Sequence, residues 1–124
     1  MFYSAIMEDN SIVKIEIRSG EFYDFFEVPP EHVFRNVGYV FIISRKHPET
    51  MNHEFLYIGS SNDLPKLLKI KQVKTFIEVN RATHILTFRV DPLDEMEIMK
   101  EEIIDKYPMI KQDLKIRKAH KISV

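Results

Sequence analysis

The chain has 124 residues and no cysteine, which excludes disulfide frameworks, thiolate zinc sites and cysteine nucleophiles. It also lacks any apolar run close to the roughly 20 residues that a membrane-spanning helix needs. Its N-terminal sequence has no basic segment before the first acidic residue, Glu8, and therefore does not read as a secretory signal peptide. These absences predict a cytoplasmic protein without membrane contact, and they leave only histidine and carboxylate side chains as candidate metal ligands.

Charge of one sign is not in excess, because 18 basic side chains are matched by 19 acidic ones and the formal net charge is -1. Such a balance argues against a surface that is basic all round, unless the two signs are separated. They are separated along the chain: basic residues dominate 66–81 and 111–121, whereas acidic residues dominate 94–105. The length predicts one domain, 1–124, with a single core.

Alternating apolar and charged residues predict a β-hairpin over 11–28, with its turn at Ser19-Gly20. Two apolar runs, 38–44 and 54–59, predict a second hairpin with a long polar tip. The aromatic side chains of these segments are expected in the core. They are Phe22, Phe25, Phe26, Phe34, Phe41 and Phe55.

Leucines at helical spacing predict a helix that is capped by Asp63 and interrupted before Val73. Residues 83–90 alternate again and predict a strand. Asp91 as N-cap and Pro92 at the first helical position predict a final helix that ends before the next proline. The fold class is therefore α+β, with a small, mostly antiparallel sheet flanked by helices.

Two short motifs, Gly38-Tyr39-Val40 and Tyr57-Ile58-Gly59, lie in the two strands of the second predicted hairpin. With the helix and strand order that follows, the chain resembles the GIY-YIG nuclease superfamily. The resemblance implies a β-β-α-β-α core over 37–110. An extra N-terminal hairpin over 1–36 would precede this core, and a basic tail over 111–124 would follow it.

In that family two motif tyrosines lie at the phosphate, a helix arginine stabilises the transition state and a glutamate holds one divalent metal. The resemblance assigns the second tyrosine to Tyr57 and the first to Tyr39, or to Phe41 in the alternative register. The arginine position falls on Leu67 and the glutamate position falls on Lys100. The resemblance therefore implies a retained fold whose metal-dependent cleavage is lost, with no metal ligand and no cofactor.

We accordingly predict a catalytically inactive domain that acts as a binding module, with DNA or RNA as the first partner to test. One alternative is a divergent endonuclease in which Glu101 or Glu54 recruits Mg²⁺ or Mn²⁺. Another is a protein-interaction domain, for which a homodimer is one form. The candidate nucleic-acid-binding residues are Lys66, Lys69, Lys74, Lys100, Lys115, Arg117 and Lys118.

Three histidines, His47, His53 and His84, do not have the spacing of a metal-binding set. We expect all three in loops or at the surface.

Overall fold

The structure, a computed structural model, describes residues 6–9, 12–90 and 92–110. These residues form a small α+β fold in which an antiparallel sheet packs against helices. The described strands are β1 (Ile6–Asp9), β2 (Ile12–Arg18), β3 (Glu21–Val28), β4 (Tyr39–Lys46), β5 (His53–Ser61) and β6 (His84–Arg89). The described helices are α1 (Leu64–Leu68), α2 (Lys71–Val79) and α3 (Leu93–Lys106).

The strands form one sheet in the order β1-β2-β3-β6-β4-β5, and every described neighbour pair is antiparallel. β4 lies between β5 and β6. The N-terminal hairpin joins this group through β3, where Phe26 lies opposite Thr87 of β6. The hairpin therefore extends the same sheet.

Successive residues of β4 point to opposite faces of the sheet, so that each face has its own apolar cluster. Ile42 belongs to the cluster that contains Met96 and Ile103 of α3. Phe41 belongs to the cluster that contains Phe76 of α2. Helix α3 thus covers one face of the sheet, and helices α1 and α2 cover part of the other.

The predicted hairpins, the strand after α2 and the break between α1 and α2 are confirmed. Asp63 caps α1 as expected, because its carboxylate accepts a hydrogen bond from the Lys66 backbone N–H. Helix α3 begins at Leu93 with Pro92 in the cap position, one residue later than predicted. The predicted cap, Asp91, lies outside the described residues.

The prediction that all six phenylalanines are buried is wrong for Phe22 and Phe26, which are 40% and 55% exposed. Both alternate along β3 with Phe25, which is buried in the cluster under α3. They therefore lie on the other face, at positions that α1 and α2 do not cover. None of the described helices has the length and apolar content required to cross a membrane.

Candidate nucleic-acid interface and a buried polar cluster

The two predicted site tyrosines lie on the same face of the sheet but not side by side. Tyr39 is half-buried at the start of β4, opposite Ser61, whereas Tyr57 is 7% exposed and lies opposite Ile43. Four residues of β4 therefore separate their positions, which is about 13 Å along the strand. The ring of Phe41, on β4, contacts the Tyr57 ring with 5.9 Å between the centroids. Of the two registers considered for the first tyrosine, the structure brings Phe41 to Tyr57.

The two positions that the resemblance assigns to catalytic arginine and glutamate lie on opposite faces of the sheet. Leu67 packs with the cluster under α1 and α2. Lys100 lies on α3, and its ammonium is 3.3 Å from a carboxylate oxygen of Glu97. The same carboxylate is 3.5 Å from the Ser60 hydroxyl at the end of β5. Lys100 is therefore not brought to the lysines of α1 and α2.

The two carboxylates that the endonuclease alternative requires as metal ligands, Glu54 and Glu101, differ in burial. Glu54 on β5 is half-buried, and its Oε1 accepts from Arg45 Nε at 3.1 Å. Glu101 is exposed on α3. Within residues 6–9, 12–90 and 92–110, no group of three or more histidine and carboxylate side chains is arranged to hold a metal ion.

Four exposed lysines lie on α1, at its C-terminal cap and on α2, and we call them the lysine face: Lys66, Lys69, Lys71 and Lys74. Lys71 and Lys74 are exposed because the opposite side of α2 buries Val73 and Phe76 against the sheet. None of the four ammonium groups forms an ion pair or a hydrogen bond with another described residue.

Helix α3, on the other face of the sheet, carries six of the 19 acidic residues of the chain. Its exposed acids are Asp94, Glu95, Glu97, Glu101 and Asp105. The acidic segment 94–105 and the lysine face thus lie on opposite faces of the sheet. Lys115, Arg117 and Lys118 lie outside the described residues.

A second group of polar side chains lies where β3 and β4 end and β5 and β6 begin, and we call it the polar cluster: Glu27, Ser44, Lys46, His53 and His84. The Glu27 side chain is only 4% exposed. Lys46 Nζ donates to Glu27 Oε2 at 2.8 Å, and His84 Nε2 lies 3.2 Å from the same oxygen. His53 Nε2 lies 3.3 Å from Glu27 Oε1.

The hydrogen bonds of the polar cluster can all be satisfied with both histidines neutral. In a neutral His53 whose Nε2–H donates to Glu27, Nδ1 is the acceptor, and the Ser44 hydroxyl is 2.5 Å away to donate. His84 repeats the arrangement, with the Thr83 hydroxyl 2.8 Å from its Nδ1. Each imidazole therefore has one donor bond and one acceptor bond without carrying charge.

Burial lowers the pKa of His53 to about 4, and this effect outweighs the opposing attraction of Glu27. Burial also lowers the pKa of His84. The positive charge that balances Glu27 at neutral pH is therefore that of Lys46.

The expectation that His53 lies in a loop or at the surface is wrong, because it is fully buried on β5. Its partners lie on other strands, and only the pairing of those strands brings them together. The local signal for the burial of His53 is its position at the start of an aromatic strand.

Comparisons of the chain with protein-family models, with curated proteins and with solved structures found no match. By its architecture, the protein belongs to the class of small α+β domains. Its function is inferred from the surfaces described above.

Proposed function

We propose that this protein is a GIY-YIG-like domain without nuclease activity that binds nucleic acid through the lysine face. The observation that carries the proposal is the set of exposed lysines on α1 and α2 without carboxylate partners among the described residues. A lysine that no carboxylate neutralises can contact a phosphate of the nucleic acid. The contact releases the cation that is bound near that phosphate, and this release favours binding.

The GIY-YIG-like part of the proposal is supported by the order of the described elements. β4, β5, the α1–α2 pair, β6 and α3 follow one another as the resemblance implies. The two tyrosine motifs lie on adjacent strands, with Phe41 opposite Gly59.

We propose that the protein does not cleave nucleic acid because of the side chains at two positions. Phosphodiester cleavage needs a cation at the developing phosphate charge and a carboxylate for the metal. Leu67 offers neither, and the Lys100 ammonium would repel a metal ion.

The separation of charge across the sheet supports a single direction of approach for a polyanion. The acidic surface of α3 repels phosphates, whereas the lysine face attracts them. Lys100, on α3, is therefore left out of the proposed interface.

A gel assay with labelled single- and double-stranded DNA and RNA, each with Mn²⁺ or with EDTA, tests both parts of the proposal. We expect retention of nucleic acid without cleavage in either condition. Cleavage that requires the metal, and that the Tyr57→Phe variant loses, would instead establish the divergent endonuclease. Neither retention nor cleavage would contradict nucleic-acid binding altogether.

A second candidate, a protein-interaction domain, is favoured by Phe22 and Phe26. Both are exposed on the same face of β3, four residues apart, and large exposed apolar side chains that share a face are typical of interaction surfaces. Sedimentation velocity over a wide concentration range tests self-association through this surface. A concentration-dependent dimer that Phe26→Thr abolishes would support it, and a monomer throughout would count against it.

A further inference from the structure

A pocket of about 340 Å³ lies between the segment 30–34 and α1, beside the lysine face. Its apolar lining includes Pro30, Phe34 and Pro65, and Lys69 lines it as well. The volume lies at the lower end of the range of small-molecule sites and is sufficient for one planar heterocycle. A cavity of this size therefore adjoins one of the lysines proposed to contact phosphate.

The polar lining of the same pocket comes from Glu31 and His32, which are both exposed. Neither side chain forms a hydrogen bond with another described residue, so their donors and acceptors are open to a ligand. The His32 and Phe34 rings are in contact, with 5.0 Å between their centroids, and the Phe34 and Tyr39 rings are in contact, with 6.0 Å between their centroids. An aromatic series therefore runs from the pocket to the start of β4.

We propose that this pocket receives one base of a single-stranded nucleic acid, while the adjoining phosphate contacts Lys69. The inference rests on the proposed function, and it names the form of nucleic acid that is bound. Proline and aromatic side chains stack on the flat surface of a base, and this stacking is the usual source of single-strand affinity. The Glu31 carboxylate is an acceptor for the exocyclic amino groups that guanine, adenine and cytosine carry and that thymine and uracil lack.

A double helix presents its bases already stacked and paired, so a base enters such a pocket only after unpairing. We therefore expect single strands to bind more tightly than duplexes of the same sequence. The lysine face alone would not produce this preference, because it contacts phosphates in both forms.

Fluorescence anisotropy with two labelled probes tests the pocket separately from the lysine face. One probe is a single-stranded oligonucleotide of mixed sequence, and the other is an abasic backbone of the same length. We expect the intact probe to bind about tenfold more tightly, and His32→Ala to weaken its binding to near that of the abasic probe. His32→Ala should leave binding of the abasic probe unchanged, and Ile98→Ala on the exposed surface of α3 should change neither.

The outcomes separate the two proposals. Equal affinity of the wild-type protein for both probes would overturn the base pocket and leave the lysine face intact. An equal loss for both probes in His32→Ala would also overturn it, because a base contact cannot affect an abasic strand. Binding of neither probe would overturn the proposed function and the pocket together.

Nuclear magnetic resonance titration with guanosine monophosphate provides a readout that needs no variant. We expect saturable changes in the amide shifts of residues 31–34, Leu68 and Lys69, which line the pocket. Changes confined to α2 would show phosphate contact without base recognition and would overturn the assignment.

Discussion

Acidification should destabilise this fold, because His53 is buried as a neutral imidazole. Burial lowers its pKa from 6.5 to about 4, whereas the unfolded chain keeps the ordinary value. Between these two pKa values the unfolded state binds a proton that the folded state does not bind. The free energy of unfolding therefore rises with pH through this window and falls as the pH is lowered.

The size of the effect follows from the two pKa values. A pKa of about 4 in the folded state and 6.5 in the unfolded state corresponds to about 3 kcal/mol once the pH lies below both values. Between about pH 7 and about pH 5 the loss is about 2 kcal/mol. The lowered pKa of His84 acts in the same direction. A loss of this size is a large share of the stability of a typical domain.

Urea unfolding, followed by circular dichroism at a series of pH values, measures the loss. His53→Gln keeps an amide donor and acceptor but cannot titrate, so its free energy of unfolding should vary by about 2 kcal/mol less over the same pH range. If the free energies of unfolding of His53→Gln and of the wild-type protein depend equally on pH, then His53 is not buried as a neutral imidazole.

Three further substitutions test the packing of the sheet. Gly59→Ala should lower stability by about 1–3 kcal/mol, because the added Cβ would lie 2.8 Å from Phe41 Cζ; an unchanged melting temperature would contradict this close approach. Tyr107→Phe should cost about 1 kcal/mol in urea unfolding, because its hydroxyl donates to the Glu16 carbonyl at 2.8 Å; no loss would mean that water replaces the bond. Ile103→Ala, at a fully buried position of α3, should cost about 2–5 kcal/mol by calorimetry, and a loss below about 1 kcal/mol would show that α3 is not packed on the sheet.

The parts of the fold that local patterns determine could be predicted from the sequence. Alternation along β2 and the turn at Gly20, where φ is 80°, indicate the first hairpin. Asp63 marks the start of α1 because a carboxylate at that position bonds the first free N–H groups.

The exposed phenylalanines show where such patterns fail. β3 has aromatic residues on both of its faces, and alternation cannot say which face a helix covers. That depends on where α1, α2 and α3 pack, which is a property of the whole topology. The pattern therefore does not separate the exposed Phe22 and Phe26 from the buried Phe25.

Long-range strand pairing explains what was missed at the candidate sites. The polar cluster exists because β3 and β4 both pair with β6, which brings Glu27 to His84 and His53. A bulge in the β4–β5 ladder, between Ile43 and Ser44, lies beside Tyr57. The spacing of residues along the sequence predicts neither this strand pairing nor this bulge.

The lysine face itself follows from a local pattern, because lysines at the exposed positions of consecutive helices are visible in the sequence. In the sequence, only its charge places Lys100 with these lysines. Its position on α3, across the sheet, follows only from the packing of that helix.

The central claim is that the lysine face holds phosphates, and the salt dependence of binding tests it most directly. The measurement is the affinity for a single-stranded oligonucleotide over a range of salt concentrations. Two triple variants with the same change in net charge are compared with the wild-type protein. The first carries Lys66→Gln, Lys69→Gln and Lys74→Gln, and the control carries Lys14→Gln, Lys100→Gln and Lys106→Gln.

Each lost phosphate contact should reduce the slope of log affinity against log salt by about 0.7. The first variant should therefore lose a slope of about 2, whereas the control should keep the slope of the wild-type protein. Equal slopes for the two variants, or wild-type binding that salt does not weaken, would contradict the account.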